Sequence, residues 1–329
     1  MPSMNMSDIN CFLKVVEFMS FSKASEALFM TQQAVSIHIK HLEDTYHVQL
    51  FERKPALRLT PEGKMLLSAA RDIIDRENMM IDLFTVSQKD FCGELSIGLP
   101  PNRSTAFASE FIPTFANLYP NMTVQLVEAT SSKLPNAVKD NQIDLALPLI
   151  SPYSPPIDSS IFEILSLETE DLYVIISDTL LRQAFGMDTD ARDHDFSKGA
   201  SLFDFAQFPL FLHPASSHLH QSILASYESR GYHPFIRVKT TLTSSLLTLC
   251  ADGQGVFFSN PMLLKYLYSN QPDCFKRLHV YPILEYQQAR QAVLIYHKRK
   301  HLSRPIADSI EIIQQIYRSH SLIMPQILQ

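Results

Sequence analysis

The stretch from Ser20 to Gly63 holds two runs at helical spacing separated only by Phe29-Met30-Thr31, so two helices must pack together across a short turn. Ser22 is placed to cap the first, and Ala24, Ala27 and Leu28 allow close helix contact. Thr31 is placed to cap the second through its hydroxyl and the free backbone donors of a helix start. Along that second helix Val35, Ile39, Leu42 and Tyr46 recur at the spacing of a buried face. Gln32, Gln33, Ser36 and Lys40 fall on the opposite side, which offers amides, a hydroxyl and one cation. Amides and hydroxyls read base edges and cations hold phosphates, the chemistry of a helix-turn-helix. The same spacing also suits a helical hairpin whose polar face is merely wet.

The residues that follow favour the first reading. His47–Arg53 and Leu57–Thr60 read as two short strands around Lys54-Pro55, a wing carrying Arg53, Lys54 and Arg58 towards a neighbouring groove or phosphate row. Ser20-Phe21-Ser22-x-Ala24, Leu28, Thr31-Gln32, Ala34-Val35-Ser36, Ile39-Lys40-x-Leu42-Glu43, Leu50-Phe51-x-Arg53 and Leu59-Thr60-x-x-Gly63 together resemble the signature of LysR-type transcriptional regulators. The resemblance covers the amino-terminal quarter in order and with matching gaps. Two departures stand out. Gln33 occupies a position where that family usually has proline, and His47 one where glycine is usual before the wing. The first loosens the start of the recognition helix, and the second asks a side chain to fit a tight turn.

Composition adds bounds rather than a direction. The 329 residues suffice for two or three domains with a sizeable core. Their net charge of -6 gives no global sign of nucleic acid, so the DNA reading rests on where the cations sit. Cys11, Cys92, Cys250 and Cys274 lack C-x-x-C spacing, which fits a reducing compartment and neither a disulfide frame nor a zinc knuckle. Met1–Asn10 is polar without an apolar signal run, and no apolar stretch reaches about twenty residues. A cytoplasmic chain without membrane contact is expected.

A first helix beginning near Ser7 or Asp8 buries Ile9, Phe12, Val15, Val16 and Met19. Thr60-Pro61 opens a longer helix, with threonine as cap and proline in the first helical position. Its Leu66, Ala70, Ile73, Met80 and Phe84 form a near-heptad stripe down to about Ser87. Such a stripe also suits a helix packed on its own domain. Its length and the LysR-type resemblance, however, imply a dimerisation helix, which would place two heads on an inverted repeat of duplex DNA. The family resemblance implies a homodimer that assembles to a homotetramer. The expected organisation is a winged helix-turn-helix over 5–63, a linker helix over 64–90 and a regulatory domain over 91–329.

From Gly93 onward strands and helices alternate. Leu95–Leu99, Val124–Glu128, Ile143–Leu147, Asp171–Ile176, Pro209–His213, Ile236–Thr241, Gly255–Phe258 and Gln291–His297 read as strands separated by helices, with a closing helix at Pro305–Ser319. That rhythm argues for right-handed crossovers on a parallel sheet. A proline- and serine-rich connector at 151–160 interrupts it, and the polar 187–201 reads as a surface insertion. The fold class expected is α/β overall, with a two-lobed effector domain that the resemblance likens to type 2 periplasmic binding proteins.

In open α/β sheets ligands sit at the carboxyl ends of strands, beside helix amino termini. Four such junctions carry hydroxyls and amides, and they supply the candidate effector contacts Asn102, Ser104, Thr105, Thr130, Ser131, His213, Ser216, Ser217 and Thr243. A cleft there suits a small anionic effector. His213, His218 and His220 lie close in sequence, but His218 and His220 diverge on a helix, and no metal or cofactor is expected. Cys250 follows Leu246, Leu247 and Leu249 on an apolar face and reads as core. No G-x-S-x-G, G-x-G-x-x-G, P-loop or H-E-x-x-H motif occurs, so an enzyme is not expected. The reading is a ligand-responsive DNA-binding regulator, with Ser22 and Thr31 on phosphates, Gln32, Gln33, Ser36 and Lys40 in the major groove, and Arg53 and Arg58 on the wing. The alternative is a small-molecule-binding protein whose winged module makes protein contacts only.

Overall fold

The first helix, α1 (Met6–Phe18), begins at a reciprocal cap: Asn5 accepts from the Asp8 amide at 2.9 Å while Asp8 accepts from the Asn5 amide at 3.0 Å. The computed structural model describes residues 4–52, 56–84, 91–151, 154–185, 196, 199–215, 217–286 and 290–327. These fall into two compact units, Met1–Phe84 and Thr85–Gln329.

In the first unit α2 (Phe21–Ala27) and α3 (Gln32–Tyr46) follow α1, and both start on side-chain caps. Thr31 caps α3 as expected, accepting from the Ala34 amide at 3.1 Å. The cap of α2 is Ser20, which accepts from the Lys23 amide, whereas Ser22 lies inside the helix with an exposed side chain. This corrects the expected cap by two residues. Ile9, Phe12, Val15, Val35, Ile39 and Leu42 form the core with Leu50 and Phe51 from the wing. Each such side chain contributes roughly 1.5–3 kcal/mol by leaving water. Tyr46 and Met19, expected inside, are instead exposed, because α3 and α1 end there in left-handed caps at His47 and Met19. The wing is a minimal ladder of β1 (Phe51–Glu52) and β2 (Arg58–Leu59), and its tip, with Arg53, lies outside the described residues.

The long helix α4 (Pro61–Phe84) opens on Thr60, which accepts from the Gly63 amide at 2.9 Å. A Cβ at Gly63 would stand 2.2 Å from the Leu50 carbonyl oxygen, so the glycine of the Leu-Thr-x-x-Gly pattern is needed where α4 crosses the wing. Along α4, Leu66, Ala70 and Ile73 join the head's core, whereas Met65, Met80 and Phe84 are exposed.

The second unit holds two mixed sheets. The first comprises β3 (Gly93–Leu99), β4 (Met122–Glu128), β5 (Leu145–Ala146), β6 (Leu149–Ile150) and the late β13 (Arg290–His297) in the order β4-β3-β5-β13-β6, with β7 (Phe162–Glu170) also on β13. The second runs β10 (Ile236–Lys239), β9 (Leu210–Leu212), β11 (Val256–Ser259), β8 (Tyr173–Ser177) and β12 (Leu278–Pro282). Within each sheet the strands joined by helix crossovers are parallel, as expected for β3 with β4 and for β9 with β10. However, β13 pairs antiparallel with β5, β6 and β7, and β8 pairs antiparallel with β11 and β12. A wholly parallel sheet is therefore not what forms, since the chain crosses between lobes and returns, which reverses strand direction.

Three cores explain the two lobes. One packs α6 (Leu134–Lys139) on the first sheet through Leu134, Val138, Ile143 and Ile295. A second covers the other sheet with Leu172, Ile176, Phe205 and Tyr227. The third is shared between them: α5 (Pro101–Leu118), α9 (Thr243–Ala251), α10 (Pro261–Asn270) and α12 (Arg304–Ile327) contribute to it. On α5, Phe107, Phe111, Phe115 and the following Tyr119 stack in an i, i+4 ladder with centroids 5.1–5.3 Å apart. Of the 187–201 stretch only Phe196 and Gly199–Ser201 are described, and there Phe196 and Ala200 are buried, Ala200 bridging to Ile283.

Candidate functional site

Two surfaces of this chain are equipped to meet a partner. On the first unit, burial of Val35, Ile39 and Leu42 turns the other side of α3 outward, leaving Gln32, Gln33 and Lys40 exposed and Ser36 half-buried. Ile37 is also 61% exposed, four residues after Gln33 and three before Lys40. Nothing in the sequence pattern set Ile37 apart, because an isoleucine on an amphipathic helix reads as core by default. Thr31 and Ser22 are exposed near the starts of their helices, and Arg58 is exposed on β2 opposite Glu52.

The pose of α3 is fixed by a buried carboxylate that sequence reasoning missed. Asp8, 1% exposed, meets His38 Nδ1 and His41 Nδ1, each at 2.8 Å, while it still caps α1. Burial favours the neutral acid, but the hydrogen bonds from His38, the Asn5 backbone and His41 outweigh it and hold Asp8 below its ordinary carboxylate range. Glu43 ties the far end of α3 to the wing, accepting from the Leu50 amide at 2.8 Å.

The second surface is a cavity of about 120 Å³ inside the α/β unit, at the carboxyl ends of β3, β4, β9 and β10. Each of the four expected junctions contributes: Asn102 from the first, Thr130 and Ser131 from the second, Pro214 and Ser217 from the third, and Thr241 from the fourth. His213 also lines it. Ser104 does not; it is buried and donates to the Pro101 carbonyl and to Glu128. Thr105 points to solvent, and Thr243 donates back to the Thr241 carbonyl. Ser216 lies outside the described residues. The apolar walls are Pro100, Pro101, Leu149, Ile150 and Leu219.

The amino termini of α5, of α8 (His218–Glu228) and of α9 carry no side-chain cap, although α1, α2, α3 and α10 all do. Residues at or just before each of these three starts line the cavity. Their free backbone donors and partial positive charge favour an anion there.

The charged residue of the cavity is Arg290, which begins β13 directly across from Glu170 on β7. Glu170 is fully buried, accepts a hydrogen bond from Arg103 of α5, and lies 3.9 Å from Arg290 Nη2. His213 is 3% exposed; burial lowers its pKa, with Arg290 and His220 pushing the same way against a hydrogen bond with the Thr240 backbone. Its Nδ1 and Arg290 Nη2 are both buried without a hydrogen-bond partner among the described residues. His220 is engaged elsewhere, its Nδ1 bonding the His213 carbonyl oxygen at 2.7 Å. Cys250 is likewise core, its thiol pKa raised by burial and its Sγ donating to the Ile175 carbonyl at 3.1 Å. No helix among the described residues is long and apolar enough to cross a membrane.

These features define a winged helix-turn-helix followed by a two-lobed α/β ligand-binding unit. Residues 6–64 match the family described as "Bacterial regulatory helix-turn-helix protein, lysR family", and residues 88–318 match the "LysR substrate binding domain". The chain belongs to the LysR family. It is 32% identical over 154 residues to the uncharacterized HTH-type transcriptional regulator YoaU of Bacillus subtilis, covering 46% of this chain and 53% of that one. A match to TdcA of Escherichia coli, 31% identical over 141 residues, covers 43% of this chain and 45% of the relative. The chain thus spans about half the length of these curated relatives. In fold it resembles a full-length OxyR variant from Pseudomonas aeruginosa, with a TM-score of 0.65, 19% identity, and 96% and 95% of the two chains covered. Full-length CbnR complexed with its target DNA superposes with a TM-score of 0.54 at 20% identity, over 95% of this chain and all of that one.

Proposed function

We propose that this chain is a sequence-specific DNA-binding transcriptional regulator of the cytoplasm, whose grip on DNA responds to a small molecule held between its two α/β lobes. The observation that carries the reading is the outward face of α3, where Gln33, Ser36, Ile37 and Lys40 stand together without a covering element in their own unit. Gln32, Gln33 and Ser36 read base edges, Ile37 packs on a thymine methyl, and Lys40 holds a phosphate. Thr31 and Ser22 bind the backbone of one groove edge, and Arg53 and Arg58 work from the wing. The complex of the structural relative CbnR with its target DNA supports the same use of the fold here.

The boundaries 5–63, 64–90 and 91–329 assign one part each to DNA, to self-association and to ligand. Exposed Met65, Met80 and Phe84 on α4 suit pairing with a second copy, so that two heads meet an inverted repeat. A dimer of such dimers is the assembly in which lobe closure on a ligand changes the spacing of the heads. A module making protein contacts only has less reason to keep an exposed amide, hydroxyl and lysine face. The test is selection from a random duplex pool by the full chain. An enriched two-fold-symmetric site, lost on combining Gln33→Ala with Ser36→Ala, is expected; a pool that never departs from random would refute the reading.

A further inference from the structure

Resting on the reading of the cavity as the effector site, we infer that its ligand is a small monoanionic carboxylic acid with an apolar body, anchored by Arg290. The charge count decides the class. Two guanidinium groups, Arg103 and Arg290, converge on the single carboxylate of Glu170, which is the acid that faces Arg290. Among the described residues that leaves one largely buried positive charge without a counter-charge, and buried charges are paired wherever the partner exists. The charged groups acting on His213 are Arg290 and His220, so no carboxylate holds its proton, and the neutral ring adds none to the count. One ligand charge completes the site, whereas a second would be buried unpaired.

Hydrogen-bonding capacity gives the same answer. Arg290 Nη2 sits 3.9 Å from Glu170 Oε2, too far for a hydrogen bond, and as a donor it lacks a partner among the described residues. Uncapped amide groups at the start of α8 and α5 flank it. A carboxylate placed there accepts from Arg290 and from a helix start at once, in the charge-assisted geometry that guanidinium favours. Leu149, Ile150, Pro100, Pro101 and Leu219 give the cavity a mainly apolar lining beside the hydroxyls of Thr130, Ser131 and Thr241, which suits a carbon body over a second charge. The cavity's about 120 Å³ is close to the roughly 150 Å³ of an engineered apolar cavity that takes up benzene, so the body is of benzene's order of size.

The experiment is calorimetric titration of the full chain with benzoate, cyclohexanecarboxylate and 3-methylbutanoate, beside benzamide as neutral isostere and succinate as dianion, at constant ionic strength. At least one monocarboxylate is expected to bind at least tenfold tighter than benzamide and succinate. Arg290→Gln should lose that ligand by about 10- to 100-fold, and Arg290→Lys by less, since charge remains while the fork is lost. Leu149→Trp, which fills the cavity and keeps the Arg103–Glu170–Arg290 cluster, separates loss of the site from loss of folding, read by an unchanged circular dichroism spectrum. If benzamide or succinate binds as tightly, and Leu149→Trp blocks it, the cavity stands and the charge assignment is overturned. If monocarboxylates bind but neither variant weakens them, the ligand sits elsewhere and the cavity reading itself falls. Absence of binding by every monocarboxylate also overturns the inference.

Discussion

Lys40 stands exposed on α3, whereas Arg290 at the start of β13 is only 13% exposed, with its Nη2 buried near Glu170, and the two cations therefore suit different partners. An exposed ammonium in high dielectric attracts weakly at any one contact and is screened by salt, which fits a polymer offering a row of phosphates. A largely buried guanidinium is screened far less and is costly to leave unpaired, which fits one small anion in a pocket. The rest of each region follows suit. The head fixes the pose of α3 from behind, through Asp8 and its two histidines, and leaves the front open. The α/β unit instead leaves three helix starts uncapped at the cavity and lines part of that cavity with proline and leucine. Proposed partner and local dielectric are thus matched in both places.

The largest expected effect breaks the comparison on its buried side. Glu170→Ala strands Arg103 and Arg290 without their carboxylate and should destabilise the α/β unit by about 3–5 kcal/mol. Glu17→Ala in the head removes the exposed Lys14–Glu17 pair and should change stability by less than about 1 kcal/mol. Urea midpoints of the two variants measure both. Equal midpoints would show that burial does not separate the two kinds of charge.

A second test uses pH. His320 of α12 is fully buried between Glu168 of β7, 3.2 Å from its Nδ1, and Glu110 of α5, 3.4 Å from its Nε2, while Lys265 of α10 pairs with Glu110. Burial works against the charged ring, but the two carboxylates outweigh it and raise its pKa above the ordinary value. A raised folded-state pKa contributes stability that is fully present below about pH 6.5 and is lost as pH rises through the folded value. Glu110, lowered despite burial by His320 and Lys265, stays ionised across that window. Stability should therefore decline as pH rises above about 6.5, and His320→Gln should flatten the decline. A slope that persists in the variant would assign it to another group.

The smallest effect concerns one methyl group on the exposed side. Replacing the thymine opposite Ile37 in the selected site by deoxyuridine should weaken binding about fourfold per head, the roughly 0.8 kcal/mol of one buried methyl. Ile37→Ala should abolish that sensitivity. If the variant still distinguishes the two bases, Ile37 does not meet the methyl.

What the sequence disclosed, and what it did not, follows the same division. The core of the head, the Thr31 and Thr60 caps and the open face of α3 were legible because helical spacing and capping are local. Ser22 was misplaced as a cap because Ser20 and Ser22 offer the same hydroxyl and only backbone geometry chooses between them. The cavity's four junctions were legible from the crossover rhythm, yet Arg290 was not. Its partner Glu170 lies on β7, whose Glu163, Glu168 and Glu170 obscure the alternation of a strand, and the antiparallel register that aligns them is set by the whole sheet. Asp8 escaped for a similar reason, since its histidines lie 30 and 33 residues away.

The account rests on the front of α3 meeting duplex DNA, and the salt dependence of binding tests it most directly. With the selected duplex, the slope of log affinity against log salt should fall by about one per head in Lys40→Ala, while the order of preference among sequences is kept. An unchanged slope and affinity in that variant would contradict the assignment of α3 to the groove.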